Sequence, residues 1–223
     1  MAHLFQVRYP SRSNTVQSNE AEWLSKAQQG DPQAFTSLVE AYQRPVFNLC
    51  YRMLGNAQDA EDAAQETFLR AYKNMRRYDN SRPFSTWLLS IAAHHCIDQS
   101  RKRRYPVLSI EELPVPDLPE PALGVEASLS RKEEQQRVRL VLDALDPVDR
   151  AAVVMYYWYD FSYEEICQAL SLTMSAVKSR LHRARRAMAE EWMRQQAAQP
   201  VPGEPMRMRQ ALQEPILAER ITP

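Results

Sequence analysis

Glycine is scarce in this chain, with four residues in 223, while leucine, alanine, glutamine, glutamate and arginine are plentiful. That balance argues against a β-rich fold and for helices. Cysteine is almost as rare. Cys50, Cys96 and Cys167 lie far apart with no CxxC or Cys/His ligand spacing, which argues against a disulfide framework and against a zinc site. They read as reduced, buried, small apolar residues. No apolar run approaches the roughly 18–20 residues that span a bilayer. The opening stretch MAHLFQVRYPSRSNTVQSNE has no long apolar core of the kind a signal peptide carries, so a soluble cytoplasmic protein with no direct membrane insertion is expected. Net charge is absent too, because 28 basic residues balance 28 acidic ones; only local clustering can point to a partner. There is no Gly-rich phosphate loop, nucleophile elbow or metal-spaced His/Cys/Asp set, and His94-His95 stands as a lone pair. No catalytic residue, no metal and no cofactor are expected.

What is present is helical periodicity in two blocks. Residues 1–20 carry no periodic pattern and read as a loose arm. In the first block, 21–104, Asp31 is a helix cap with Pro32 at the first helical position, and Phe35, Leu38, Val39, Tyr42, Val46 and Leu49 follow helical spacing. Gly55 ends that helix and Asn56 can cap the next. The segment 105–129 is proline-rich, with Glu111, Glu112, Asp117, Glu120 and Glu126 and no Lys or Arg, which reads as an extended acidic linker. The second block, 130–194, breaks at Asp146-Pro147, near Asp160 and near Ser171. The remainder, 195–223, is proline-punctuated and reads as a disordered tail. The expected fold class is all-α: two small helical domains joined by an acidic linker.

In the second block Ser162 and Glu165 fit an S-x-x-E capping box that starts a short helix. The break SLT follows, and a longer helix begins near Met174 or Ser175. Val177, Leu181, Ala184 and Met188 form its buried stripe. Ser175, Ala176, Lys178, Ser179, Arg180, His182, Arg183 and Arg186 compose a small-polar start and a basic body. Short helix, tight turn and basic helix make a helix-turn-helix, whose early turn can reach base edges while the arginines neutralise phosphates. Basic residues on a helix face can also be mere solvated charge; the capped preceding helix and the short turn favour nucleic acid.

The first block offers two more faces. On DAEDAAQETFLRAYKNM, Ala60, Ala64, Thr67, Phe68, Ala71 and Met75 form a core stripe, and Asp59, Asp62, Glu66 and Lys73 lie opposite with Leu69 among them. Leu69 is either an ordinary exposed leucine or the apolar centre of a protein-binding face with a charged rim. On the following helix Trp87, Leu88, Ile91 and Ala92 are core candidates, and His94, Asp98 and Arg101 share a strip ending in Arg101-Lys102-Arg103-Arg104. Before it, the polar loop from Tyr78 to Phe84 (Asn80, Ser81 and Arg82 within it) is flanked by aromatics. Basic residues with interleaved aromatics suit a strand of unstacked bases.

Together these stretches resemble the extracytoplasmic-function branch of the bacterial RNA polymerase sigma-70 family. The likeness runs over about 30–104 and 135–192, and DAEDAAQETFLRA with AVKSRLHRARRAM carries most of it. It implies that Asp59, Asp62, Gln65, Glu66 and Leu69 dock on the β′ clamp helices of core polymerase, with the β subunit as a further contact. It implies that Tyr78, Asn80, Ser81, Arg82, Phe84, His94, Asp98 and Arg101 to Arg104 hold an unpaired base and phosphates of the −10 promoter element. The helix from Ser175 would read the −35 element, and the acidic linker would thread the positively lined RNA exit path. A cognate anti-sigma factor is implied as a partner. The competing readings are a stand-alone helix-turn-helix regulator and an enzyme.

Overall fold

The computed structural model describes residues 14–104 and 135–198; the expected linker and most of the expected tail lie outside the described residues. The described elements are all helices: α1 (Asn14–Gln28), α2 (Pro32–Leu54), α3 (Ala57–Asn74), a short 3-10 turn (Met75–Arg77), α4 (Phe84–Arg104), a helical segment over 135–143 (α5), α6 (Pro147–Trp158), α7 (Tyr163–Leu170) and α8 (Met174–Ala198).

The punctuation visible in the sequence sets these boundaries. Asp31 accepts from the Gln33 amide at 2.8 Å, ahead of Pro32, whose missing N–H costs nothing at a helix start. Gly55 closes α2 in the left-handed region at φ 82°, where a side chain would be strained, and its N–H reaches the Tyr51 carbonyl at 2.8 Å. Asn56 then caps α3 by accepting from the Asp59 amide at 2.8 Å. Ser162 and Glu165 satisfy each other's amides at 3.1 and 2.8 Å, a complete capping box. Ser171 ends α7 at φ 54°, leaving only Ser171–Thr173 to turn the chain into α8.

Two expected boundaries move. The arm was expected to run to residue 20, but α1 starts at Asn14, because Trp23, Leu24 and Ala27 pack on the core and Tyr42 donates to Glu20 at 3.0 Å. Helix α8 also continues to Ala198, past the expected end of the domain at 194.

Leu38, Leu49, Met53, Met75, Leu88 and Leu89 fill the N-terminal core, and Val153, Val154, Met155, Ile166 and Leu181 fill the C-terminal one. Truncating any of these leucines to alanine costs about 2–5 kcal/mol. Cys50 and Cys96 are buried in the N-terminal core as free thiols; Cys167 is half-buried.

The two domains touch. Helix α6 packs on α2 and α4, and α7 packs on α4. Arg150 Nη1 donates to the Met53 carbonyl at 2.7 Å, and the Tyr159 hydroxyl donates to the Pro45 carbonyl at 2.6 Å. The Arg52 guanidinium sits 5.1 Å from the centroid of the Trp158 ring.

Candidate nucleic-acid interface

The α3 face is assembled as its periodicity predicts. Ala60, Ala63, Ala64, Thr67 and Ala71 turn inward, and Asp62, Gln65 and Leu69 turn outward, Leu69 at 47% exposure. Glu66 is half-buried and bonded to Arg70 at 2.6 Å; that hydrogen bond, above all, holds its carboxyl below the usual glutamate range. Asp59 differs from its neighbours. Its carboxylate accepts from the Asn56 amide and from Arg103 Nη2 of α4, so it belongs to the helix cap and to an ion pair as well as to the acidic face. Tyr72, at 49% exposure and three residues after Leu69, extends the apolar patch and stands edge-on to Phe35 at 5.0 Å. Its position one turn from Leu69 was the available signal.

On α4, His94, Asp98, Arg101, Lys102 and Arg103 are exposed, and Arg104 is the last residue of the helix. His94 Nδ1 lies 2.8 Å from the Ser90 carbonyl. A carbonyl can only accept, so Nδ1 carries the proton and Nε2 faces outward as an acceptor when the ring is neutral. Beside His94 runs an open groove of about 390 Å³ lined by Arg70, Asn74, Arg77, Trp87, Ser90 and Ile91. Two arginines and the half-buried Trp87 indole line it, a chemistry suited to a flat group carrying negative charge. The three residues that α3 and the 3-10 turn contribute, Arg70, Asn74 and Arg77, were not foreseen, because they join the His94 strip only when α3 and α4 pack.

The loop before α4 corrects the sequence reading. Asn80, Ser81 and Arg82 are exposed, and Asp79 fixes the turn by accepting from the Ser81 amide at 2.9 Å and its hydroxyl at 2.7 Å. Gln28 of α1 latches it by donating to the Tyr78 carbonyl at 2.8 Å. Tyr78 and Phe84, grouped by the sequence with the −10 contacts and open to either a core or a stacking role, are buried at 6% and 2% exposure. They form an aromatic cluster with Tyr42 and Trp87 at centroid spacings of 5.0 to 5.6 Å. Burial pushes the Tyr78 phenol up to about 12, and its hydroxyl donates to the Arg82 carbonyl. Trp87 and Tyr42 are half-buried, so the cluster keeps part of its surface accessible.

On α8, Val177, Leu181, Ala184 and Met188 are buried as a stripe, and Ser175, Lys178, Ser179, His182, Arg183 and Arg186 are exposed, with Ala176 half-buried. Thr173 caps the helix start, its hydroxyl accepting from the Ala176 amide at 3.3 Å and lying 3.2 Å from the Ser175 hydroxyl. Arg180 corrects the sequence reading. It points to α6, bonding buried Asp149 at 2.6 Å and lying 3.9 Å from Asp146, so its charge is spent within the domain. Arg183 shares Asp149 at 3.6 Å but stays largely exposed. Arg185 donates to the Tyr157 hydroxyl at 3.2 Å and lies over Tyr156, which makes it a packing residue. Among the described residues no three His, Cys, Asp or Glu side chains converge as a metal site.

Comparison with known proteins places these faces in context. The Sigma-70 region 2 model matches residues 38–105, and the Sigma-70, region 4 model matches residues 135–188. The chain is 36% identical over 181 residues to the ECF RNA polymerase sigma factor SigW of Bacillus subtilis (strain 168), covering 75% of this chain and 94% of that protein. It is 28% identical to the RNA polymerase sigma-H factor of Pseudomonas aeruginosa, covering 78% and 93%. Among solved structures, CnrH in complex with the cytosolic domain of CnrY superposes with a TM-score of 0.58 at 24% identity, covering 77% of this chain and 95% of that one. The sigma factor RpoE of Bartonella quintana, bound to the anti-sigma factor NepR, gives a TM-score of 0.55 at 21% identity, covering 70% and 95%. At these identities the structural likeness speaks for the fold.

Proposed function

The chain belongs to the extracytoplasmic-function branch of the sigma-70 family, dissociable promoter-recognition subunits of RNA polymerase, and from that premise we propose how its surfaces divide the work. The α3 face, with Asp62, Gln65, Leu69 and Tyr72 outermost, docks on core polymerase. The groove between α3 and α4, with the exposed loop Asn80–Arg82 and the strip His94, Asp98 and Arg101, receives the opened −10 strand. Helix α8 reads the −35 duplex through Ser175, Lys178, Ser179 and His182, with Arg183 and Arg186 on phosphates. The core-docking and −10 functions fall in 21–104, and the −35 function in 130–194.

The observation that carries this reading is the exposure of three chemically distinct faces, acidic with an apolar centre, grooved and basic, on one small helical chain. A stand-alone helix-turn-helix regulator has no use for the first two. In this reading the polymerase makes the bonds and the chain contributes binding energy alone, in the cytoplasm where the polymerase works. Among the described residues no helix is long and apolar enough to cross a membrane. A cognate anti-sigma factor is the proposed regulator, by analogy with the partner that holds the Bartonella protein.

Run-off transcription with purified core polymerase, on the region upstream of the chain's own gene, tests the proposal. A defined transcript that depends on the chain, and disappears with Asp62→Lys, is the expected result. No transcript, with no co-elution of chain and core, overturns it.

A further inference from the structure

The loop that offers Asn80 to the opened strand is braced from two directions. Within it, Asp79 accepts from the Ser81 amide and hydroxyl, the Arg82 amide donates to the Asp79 carbonyl at 3.2 Å, and the Tyr78 hydroxyl donates to the Arg82 carbonyl. These bonds fix the backbone but do not set the exposed Asn80 side chain. The second brace is Gln28, the half-buried last residue of α1. Its own backbone is firmly placed. Ala27 is buried in the core, the Gly30 amide reaches the Ala27 carbonyl at 3.0 Å, and the Asp31 amide reaches the Lys26 carbonyl at 3.0 Å.

Gln28 engages the loop with both ends of one carboxamide. Nε2 donates to the Tyr78 carbonyl at 2.8 Å, and Oε1 accepts from Asn80 Nδ2 at 3.3 Å. A carbonyl oxygen can only accept, so the Tyr78 carbonyl decides which end of Gln28 is the nitrogen. The Gln28 oxygen then faces Asn80 and obliges Asn80 to offer its own nitrogen. Two amides, each able to turn end for end in isolation, are thus ordered by one backbone oxygen. Asn80 Oδ1 is left for the incoming strand, with the second Nδ2 hydrogen beside it.

That order matters because of what bases carry. Adenine and cytosine present an exocyclic amino donor, whereas guanine and thymine present an exocyclic keto acceptor. For a base entering in one pose, a freely turning asparagine suits either class by reversing. An asparagine held with Oδ1 outward suits the amino class, because reversing it sets Oδ1 against Gln28 Oε1 and loses a hydrogen bond.

We propose that Gln28 is a positioning residue for −10 recognition: through Asn80 it makes the loop select adenine or cytosine over guanine and thymine. This rests on the promoter-reading assignment above. Gln28 acts on the choice of base without touching the base.

Run-off transcription by the full chain with core polymerase tests it, on the region upstream of the chain's own gene with each −10 position changed in turn to all four bases. One position should favour adenine and cytosine over guanine and thymine by at least about five-fold, and lose that preference in Asn80→Ala. Gln28→Met, which cannot donate, should erase the same preference, and adding it to Asn80→Ala should change nothing further. Gln28→Lys can still donate to the Tyr78 carbonyl but cannot accept from Asn80, so it draws Oδ1 inward; its cation also suits the end of α1. In that variant the preference should turn towards guanine and thymine. A residue that merely held the loop would lower transcription from every template alike and would never reverse a preference. Selectivity that survives Gln28→Met or Asn80→Ala overturns the proposal, as does a Gln28→Lys variant with the parent's preference. A parent chain that transcribes but favours adenine and cytosine at no −10 position sinks the Gln28 latch alone, whereas a chain that starts no transcript sinks the assignment underneath.

Discussion

Arg103, near the end of α4, donates to the carboxylate of Asp59 in the first turn of α3, joining a residue expected to grip phosphates to one expected to grip the polymerase. Asp59 also shares a reciprocal cap with Asn56. The acidic face is therefore chemically uneven. Asp62 is exposed and carries little structural duty, whereas Asp59 holds a helix start together, and these two roles separate by mutation.

Asp62→Lys should reduce co-elution with core polymerase by at least about ten-fold, a loss of about 1.4 kcal/mol, while the melting temperature barely moves. Asp59→Lys should lose the binding and also about 1–2 kcal/mol of stability, because the cap and the favourable helix-dipole charge go together. Equal melting temperatures for the two variants would show that Asp59 does no structural work. The Arg103 ion pair itself is partly exposed, so Arg103→Ala should change stability by no more than about 1 kcal/mol.

Leu69 already faces water, so truncating it removes little from the folded chain. Leu69→Ala should leave the urea midpoint within experimental error yet weaken core binding by about 1–3 kcal/mol, as removal of an apolar anchor at an interface centre does. The contrast is Leu88→Ala, a fully buried residue on α4, which should cost about 2–5 kcal/mol of stability. Should Leu69→Ala bind core normally, the exposed leucine was an ordinary one.

Much of this is legible in the sequence, and the reason is local chemistry. Caps are read from side chains within four residues of the amides they satisfy, so Asp31, Gly55, Asn56 and the Ser162–Glu165 box could all be placed. The α8 stripe and outward Leu69 follow from 100° per residue alone. What escaped depends on residues far apart in sequence. Tyr78 and Phe84 flank a polar loop and look available, but Tyr42 and Trp87 close over them. Arg180 resembles Lys178 by type, and only Asp149, 31 residues earlier, turns it inward. The contact of α6 and α7 with α2 and α4 has no local signature at all.

Those corrections are testable by separating stability from DNA binding. Phe84→Ala should destabilise the N-terminal domain by about 3–5 kcal/mol, as loss of a buried ring does. His94→Ala should leave urea unfolding unchanged and impair opening of the −10 element, read by fluorescence of a promoter strand with a base analogue. On α8, Arg180→Ala leaves Asp149 buried with a weaker partner, so stability should fall while the salt dependence of −35 binding stays the same. Lys178→Ala should do the reverse, lowering the slope of log affinity against log salt by about 1.

Two buried acids that stay protonated, the Tyr78 phenol and the Cys96 thiol, make the fold less stable at alkaline pH. Burial raises the Tyr78 phenol from 10.0 to about 12, and a hydrogen bond with Cys50, followed by burial, pushes the Cys96 thiol up. In both cases the unfolded chain gives up its proton first, so it binds fewer protons than the native state and stability falls as pH rises. For Tyr78 the contribution is complete below pH 10 and is lost through about pH 12. The urea midpoint should therefore drop between pH 9 and pH 11. Tyr78→Phe isolates the share of the phenol: at pH 7.5 it should be less stable by about 1 kcal/mol, having lost the bond to the Arg82 carbonyl. Its decline with pH should be shallower than that of the parent, the remainder being due to Cys96. Parallel pH profiles for parent and variant would mean that the Tyr78 hydroxyl titrates as it does in water, which its 6% exposure argues against.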